Sequence, residues 1–319
     1  MRTRWGDKPY YALDYYLKEC FGEKVYRLSL SAGLTCPNRD GTLDTRGCIF
    51  CSRGGSGDFA VQNSGSIREQ LDAAKSRISA KSHCRKFVAY FQAYTNTYGP
   101  IDHLERIFRD ALAESDVVAL SVATRPDCLP DETLTLLAEL NRKKPVWIEL
   151  GLQTIHETTR SFIRSGFSLS CFQDAVLRLK ERGLSVIVHI ILGLPHETRS
   201  QMLSTVDYLA RLPIDGIKLQ LLHVLTDTDL YDYYKEHPFP LLELSAYCDL
   251  LCECIEHLPP DVVIHRLTGD GPKRTLAAPL WSGNKKLVLN RIHQTLRERD
   301  SWQGKQYREE HYGRSLDTI

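Results

Sequence analysis

Three cysteines crowd one short segment, LTCPNRDGTLDTRGCIFCS (34–52). Eleven residues separate Cys36 from Cys48, and two separate Cys48 from Cys51. A Cys-x-x-Cys pair grips one metal centre with both thiolates, and a loop rich in Gly, Asn, Asp and Thr folds back to deliver a third. Structural zinc usually takes four protein ligands, and the segment holds no fourth Cys or His. A zinc site completed by a distant His stays open as an alternative. A [4Fe–4S] cluster held by three thiolates leaves one iron free for a substrate or cofactor. The count therefore suggests Cys36, Cys48 and Cys51 as ligands of a cluster with an open coordination position.

The chain has ten cysteines in all. Cys248, Cys252 and Cys254 fall in a helical pattern, and free Cys is often simply a small buried hydrophobe. Cys20, Cys84 and Cys171 read the same way, while Cys128 beside the TRPD turn could line a cavity. One cluster and no second is expected.

The elements that must position these residues show a regular alternation. Strands are predicted at 25–32, 86–91, 116–124, 145–153, 184–195 and 214–223. Helices are predicted at 66–80, with Ser66 as N-cap, and at 101–115, 130–144, 169–183 and 198–212. The strands are near-continuous apolar runs, which implies helices on both faces. Six β-then-α units make either a doubly wound sheet or an open barrel. Barrel chemistry sits at the C-terminal ends of strands, and the informative residues collect there. The expected fold is thus α/β, a partial (β/α)6 TIM-like barrel with a C-terminal extension. The expected division is an N-terminal extension (1–24), a core (25–223) and an α+β extension with a basic tail (224–319). Within that extension, 244–260 reads as helix and 262–267 as a further strand.

Lys plus Arg (41) balances Asp plus Glu (40), so net charge does not drive nucleic-acid binding and a local patch would be needed. From Lys285 to Arg308 there are seven basic residues against two acids. Trp302, Tyr307 and several arginines there could contact phosphates and stack on bases, with Arg2, Arg4 and Trp5 extending the surface. An ordinary solvated helix face is the other reading. No apolar run has the length of a signal peptide or a membrane span, and the cysteines suit a reducing compartment. A cytoplasmic protein without a membrane partner is expected.

Taken together, the cysteine loop, QAYTNTY (92–98), SVATRPDCLPD (121–131), IELGLQT (148–154), ILGLPHET (191–198) and HRLTGDGP (265–272) resemble the radical S-adenosylmethionine (radical SAM) superfamily. The likeness is to the branch related to the Elongator catalytic subunit and the YtqA/YhcC group. The long cysteine spacing departs from the superfamily's commoner C-x3-C-x2-C and matches this subgroup. The resemblance implies one [4Fe–4S] cluster on Cys36, Cys48 and Cys51, S-adenosyl-L-methionine (SAM) on its unique iron, and a reductant such as flavodoxin or ferredoxin.

It also implies SAM contacts. Phe50 resembles the aromatic whose backbone touches adenine, and an aromatic that simply anchors the loop in the core stays open. Gln92, Ala93 and Tyr94 stand where a glycine-rich segment meets the amino group, with two glycines replaced. Gln153 matches a ribose partner, Arg164 a carboxylate partner, His189 a strand position that carries a ribose-binding Asp in some relatives, and Leu194 and Pro195 the turn flanking adenine. A solvated helix-end Arg164 and a buried, satisfied His189 stay open. Thr124, Arg125 and Asp127 could hold substrate or SAM, or cap the next helix. Glu149, inside an apolar strand, needs a partner such as Arg125 or Lys218, or has a raised pKa. Glu149, Lys218 and His223 are the catalytic candidates; His265 and Arg266 are further substrate candidates. The implied activity of the MnmL-type members is tRNA wobble-uridine modification, carboxymethylaminomethyl-uridine to aminomethyl-uridine, ahead of a methyltransferase. A radical SAM enzyme on a small molecule and a non-enzymatic zinc or RNA-binding protein are the alternatives.

Overall fold

The structure, a computed structural model, describes residues 5–55, 65–79, 84–269 and 271–308. Arg2 and Arg4 lie outside the described residues. The chain runs α1 (Leu13–Phe21), β1 (Val25–Leu30), α2 (Ile67–Ser79), β2 (Lys86–Phe91), α3 (Ile101–Ala113), β3 (Val117–Thr124), α4 (Asp131–Asn141), β4 (Val146–Gln153), α5 (Glu157–Phe162), α6 (Leu169–Glu181), β5 (Ser185–Leu192), α7 (Arg199–Arg211) and β6 (Gly216–Leu221). It continues through β7 (Val224–Leu225), α8 (Asp229–Glu236), α9 (Leu244–His257), β8 (Val263–Arg266), β9 (Leu276–Ala278), a 3₁₀ turn (Leu280–Gly283) and α10 (Lys285–Glu298). All six expected strands form. They make a seven-stranded sheet in the order β1-β2-β3-β4-β5-β6-β8. The seventh is β8, which pairs parallel with β6, Gly216 opposite Val263.

Contacts divide the chain into two compact units. One comprises Tyr16–Gly151 with Gly166–Ile187. In it β1, β2, β3 and β4 pair in parallel, Leu30 opposite Phe91 and Thr124 opposite Leu150. β3 is buried at seven of its eight positions, as the unbroken apolar run implies for a strand covered on both faces. α3 buries Leu104, Ile107, Phe108, Ala111 and Leu112, the i, i+3, i+4, i+7, i+8 stripe of an amphipathic helix. Phe108 meets Phe91 of β2 edge to face at 5.2 Å. Ser66 and Glu69 form the reciprocal cap at the start of α2, as Ser66's type and position imply.

The other unit comprises Met1–Tyr15, Leu152–Ser165 and Val188–Ile319. A Thr198–Gln201 capping box starts α7. β7 and β9 form a small antiparallel pair. The segment following α10 is built into this unit: Gln303 is 2% exposed, its side-chain Nε2 donates to the carbonyls of Pro259 and Val262, and its backbone N–H donates to the Pro9 carbonyl. Tyr11 N–H in turn donates to Gln303 Oε1 at 2.8 Å.

Candidate functional site

The cysteine loop follows β1 and is stitched by its own backbone. Arg39 N–H donates to Cys36 O, Leu43 N–H to Pro37 O, Gly47 N–H to Asn38 O and Cys51 N–H to Cys48 O. Gly47 takes φ +81°, and a Cβ there would lie 2.8 Å from Arg39 Nε, so the turn needs glycine. Arg39 Nη2 donates to the carbonyls of Cys51 and Ser52, closing the loop on its C-terminal cysteine. Cys36, Cys48 and Cys51 form no disulfide and are half-buried. Asn38 Nδ2 donates to Cys48 Sγ at 3.4 Å. Burial, reinforced by the neighbouring Cys51, pushes the Cys48 thiol up to about 12. Phe50 is half-buried between the second and third cysteines.

The loop after β2 is packed against the cysteine loop. Tyr94 adopts φ +61°; its N–H donates to Gly55 O and its hydroxyl to Arg53 O. A Cβ at Gly55 would sit 2.3 Å from the Tyr94 ring, so the ring lies directly on that glycine. Ala93 is buried, and Gln92 Oε1 accepts from Ser29 of β1. Asn96, fully buried, donates from Nδ2 to the carbonyls of Phe91 and Ala123, tying the ends of β2 and β3.

Thr124 meets Thr97, whose hydroxyl donates on to Cys128 O, so Thr124 serves this turn. Arg125 is 8% exposed and makes two hydrogen bonds to Asp127, at 2.9 and 2.7 Å. Its guanidinium also lies 5.3 Å from the ring centre of Phe167. Arg125 as partner of Glu149 is thereby corrected: Glu149, fully buried, accepts from Ser121 at 2.7 Å and lies 3.6 Å from Arg27. Ser121 lies on the neighbouring strand β3, two residues before Ala123, the register partner of Glu149, and is itself a polar residue inside an apolar run.

In the second unit, Gln153 ends β4 at φ +71°. Its Oε1 is buried and accepts no hydrogen bond among the described residues. The next residue, Thr154, donates to Glu197. Burial raises the Glu197 carboxyl above the usual carboxylate range. Arg164 adopts φ +58° after α5, and its Nη2 pairs with Asp229 at 2.6 Å. His189 lies half-buried in β5; Leu194 and Pro195 are buried in the turn that follows. Lys218 is 1% exposed in β6. His223 is packed between Gly269 and Gly271, where a Cβ would come within 2.7 and 2.8 Å of its ring. His265 and Arg266 are half-buried at the end of β8.

Five non-glycine residues have positive φ among the described residues: Tyr94, Gln153, Arg164, His196 and Asp300. Three were singled out as SAM contacts from motif alone, and His196 follows Pro195. Left-handed backbone at such residues costs on the order of 1–3 kcal/mol and tends to persist at ligand sites. Sequence reading missed Asn38, Thr97, Arg27, Thr154, Glu197 and Asp229, because each acts through a partner distant in the chain.

Among the described residues no three Cys, His, Asp or Glu groups gather as a single-ion site. A cube spreads its iron atoms apart, so its three thiolates need not converge on one point. Three cysteines outside any disulfide, carried on one tightly stitched loop, fit a [4Fe–4S] cluster with an open iron. The buried acceptor on Gln153 fits a hydroxyl-bearing cofactor such as SAM.

Comparison with known proteins agrees. Residues 45–209 match the radical SAM superfamily, and residues 214–298 match the radical SAM C-terminal domain. The uncharacterized protein YtqA of Bacillus subtilis is 44% identical over 94% of this chain and 93% of its own. Protein YhcC of Escherichia coli K12 is 38% identical over 83% of this chain and 85% of its own. A tRNA uridine(34) acetyltransferase of Methanocaldococcus jannaschii is 25% identical over 56% of this chain and 32% of its own. The solved archaeal Methanocaldococcus infernus Elp3 superposes with a TM-score of 0.66 at 16% identity, over 88% of this chain and 64% of that one. The parallel α/β sheet, the partial barrel architecture it shares with that neighbour, and the length of these matches establish that the chain is an enzyme of the radical SAM superfamily.

Proposed function

We propose that the enzyme modifies the wobble uridine of tRNA, removing the carboxymethyl arm of carboxymethylaminomethyl-uridine to leave aminomethyl-uridine. The observation that carries this reading is the match to a tRNA uridine(34) acetyltransferase, which spans just over half of the chain. When bound, the reduced cluster would supply one electron and SAM, as the electron acceptor, would supply the 5′-deoxyadenosyl group that takes hydrogen from substrate. The arm offers a suitable hydrogen on the CH₂ beside nitrogen, where the nitrogen lone pair would stabilise the carbon radical left behind.

In this reading Cys36, Cys48 and Cys51 hold the cluster. Gln153 accepts from a ribose hydroxyl, and the buried Leu194–Pro195 turn flanks the adenine. The residues round Tyr94 serve the SAM amino group through backbone carbonyls, because the Tyr94 ring is occupied by Gly55. Arg164 meets the SAM carboxylate from its place beside Asp229. Thr124 and Arg125, engaged with Thr97 and Asp127, shape the turn after β3. Lys218, His223, His265 and Arg266, on β6, after it and on β8, are the substrate candidates, and Glu149 ties β1, β3 and β4 together through Ser121 and Arg27.

The test is mass spectrometry of tRNA nucleosides from a strain lacking the gene. The carboxymethylaminomethyl form should accumulate, and wild type but not Cys48→Ala should reverse it. An unchanged nucleoside profile would remove the tRNA substrate and leave the radical chemistry.

A further inference from the structure

Asn38 is 1% exposed and sits two residues beyond Cys36. Buried side-chain amides usually satisfy backbone groups or other polar atoms. This one directs its Nδ2 donor to a cysteine sulfur, Cys48 Sγ, at 3.4 Å. Its place is fixed from two sides. Its own carbonyl accepts from Gly47 N–H at 2.7 Å. Gly166, at φ +78°, leaves no space behind it: a Cβ there would come within 2.9 Å of Asn38 Oδ1 and 3.2 Å of Arg125 Nη2. The amide oxygen thus lies on the side of the guanidinium and the amide nitrogen on the side of the sulfur, the arrangement each charge favours. Arg125 is itself held by Asp127.

A donor on a cluster sulfur acts more strongly on the reduced state, which carries one more negative charge, than on the oxidised state. Hydrogen bonds to the sulfurs are among the features that set iron–sulfur potentials. We propose that Asn38 is a positioning residue that tunes the cluster: its N–H on the Cys48 sulfur raises the reduction potential and eases electron entry from the cellular reductant. The electron still comes from that reductant; Asn38 changes only how readily the cluster accepts it. The proposal rests on Cys36, Cys48 and Cys51 being the cluster ligands.

The experiment compares anaerobically reconstituted full-length wild type with Asn38→Leu, Asn38→Asp and Asn38→Gln. Iron and sulfide are counted, and the midpoint potential is read by potentiometric titration of the reduced-cluster electron paramagnetic resonance signal. Asn38→Leu and Asn38→Asp should retain the wild-type iron count with midpoints shifted negative, Asn38→Asp furthest because it places a carboxylate at the sulfur. Asn38→Gln, which keeps a donor, should lie closest to wild type. Should Asn38→Leu fail to hold iron, Asn38→Asp and Asn38→Gln, both of similar shape and polarity, carry the comparison. A common midpoint in every iron-replete protein overturns the role of Asn38 and leaves the ligand assignment standing. A wild type that takes up no iron overturns the ligand assignment and the proposal with it.

Discussion

Gln153 shows how one residue can be named from motif yet understood only in three dimensions. Its place in GLQT marked it as a ribose partner. The structure adds a left-handed backbone and a buried oxygen awaiting a donor. Replacing Gln153 with Leu should weaken SAM binding about tenfold, the worth of one ordinary hydrogen bond, measured by equilibrium dialysis on reconstituted enzyme. Unchanged affinity would separate Gln153 from the cofactor. Gly55 makes the complementary case, since sequence gave no reason to notice it. A Gly55→Ala side chain would collide with the Tyr94 ring, and the backbone there has φ +60°. The substitution should cost about 1–3 kcal/mol of stability and lower iron retention, seen by thermal unfolding and iron assay. Close approach of two loops 39 residues apart leaves no trace in local spacing.

At the scale of elements, periodicity was a dependable guide where a segment is long and amphipathic. α3, α6 and α7 form where their stripes predict. The short α5 and α8 went unforeseen, because six to eight residues carry too few turns to display a period. α9 buries Cys248, Cys252 and Cys254 completely, so their types serve packing, as expected for free cysteine. α10 buries Val288, Ile292, Thr295 and Leu296, and the basic excess around it is partly neutralised: Arg299 pairs with Asp249 and Glu253, Lys305 with Glu256, and Arg291 with Glu298.

α7 and α9 are joined by Asp207 and His257, 2.7 Å apart. The hydrogen bond to Asp207 raises the His257 pKa above its ordinary value. A raised histidine stabilises the fold fully below its unfolded pKa and loses that contribution as pH climbs through the folded value. His257→Ala should therefore cost about 1 kcal/mol near pH 5.5 and markedly less near pH 8, read from urea unfolding at the two pH values. An equal cost at both would assign the effect to packing.

At the scale of the molecule, the order of the sheet follows the order of the chain from β1 to β6, and β8 alone joins from the extension. The last described residues are structural. Gln303 joins Pro9, Tyr11, Pro259 and Val262, and Ser301 donates to Glu256. Gln303→Ala should lower the melting temperature, at a cost of about 1–3 kcal/mol for the buried groups left unpaired. A melting temperature equal to wild type would show that this segment is dispensable. RNA binding by the basic segment is accordingly better tested by reversing exposed charges at Lys285 and Lys286 than by truncation, which removes these buried bonds. No helix among the described residues is long and apolar enough to cross a membrane.

Residue type and spacing by themselves determined the three-cysteine loop, the six strands and the placing of the candidate residues at strand ends, because cysteine spacing and secondary-structure periods are written over a few neighbouring positions. Only the tertiary structure decided that Glu149 answers to Ser121 and Arg27, that Tyr94 closes on Gly55, and that Asn38 turns its donor toward Cys48. Those pairings depend on strand register and loop approach, which the folded backbone sets and no local pattern encodes.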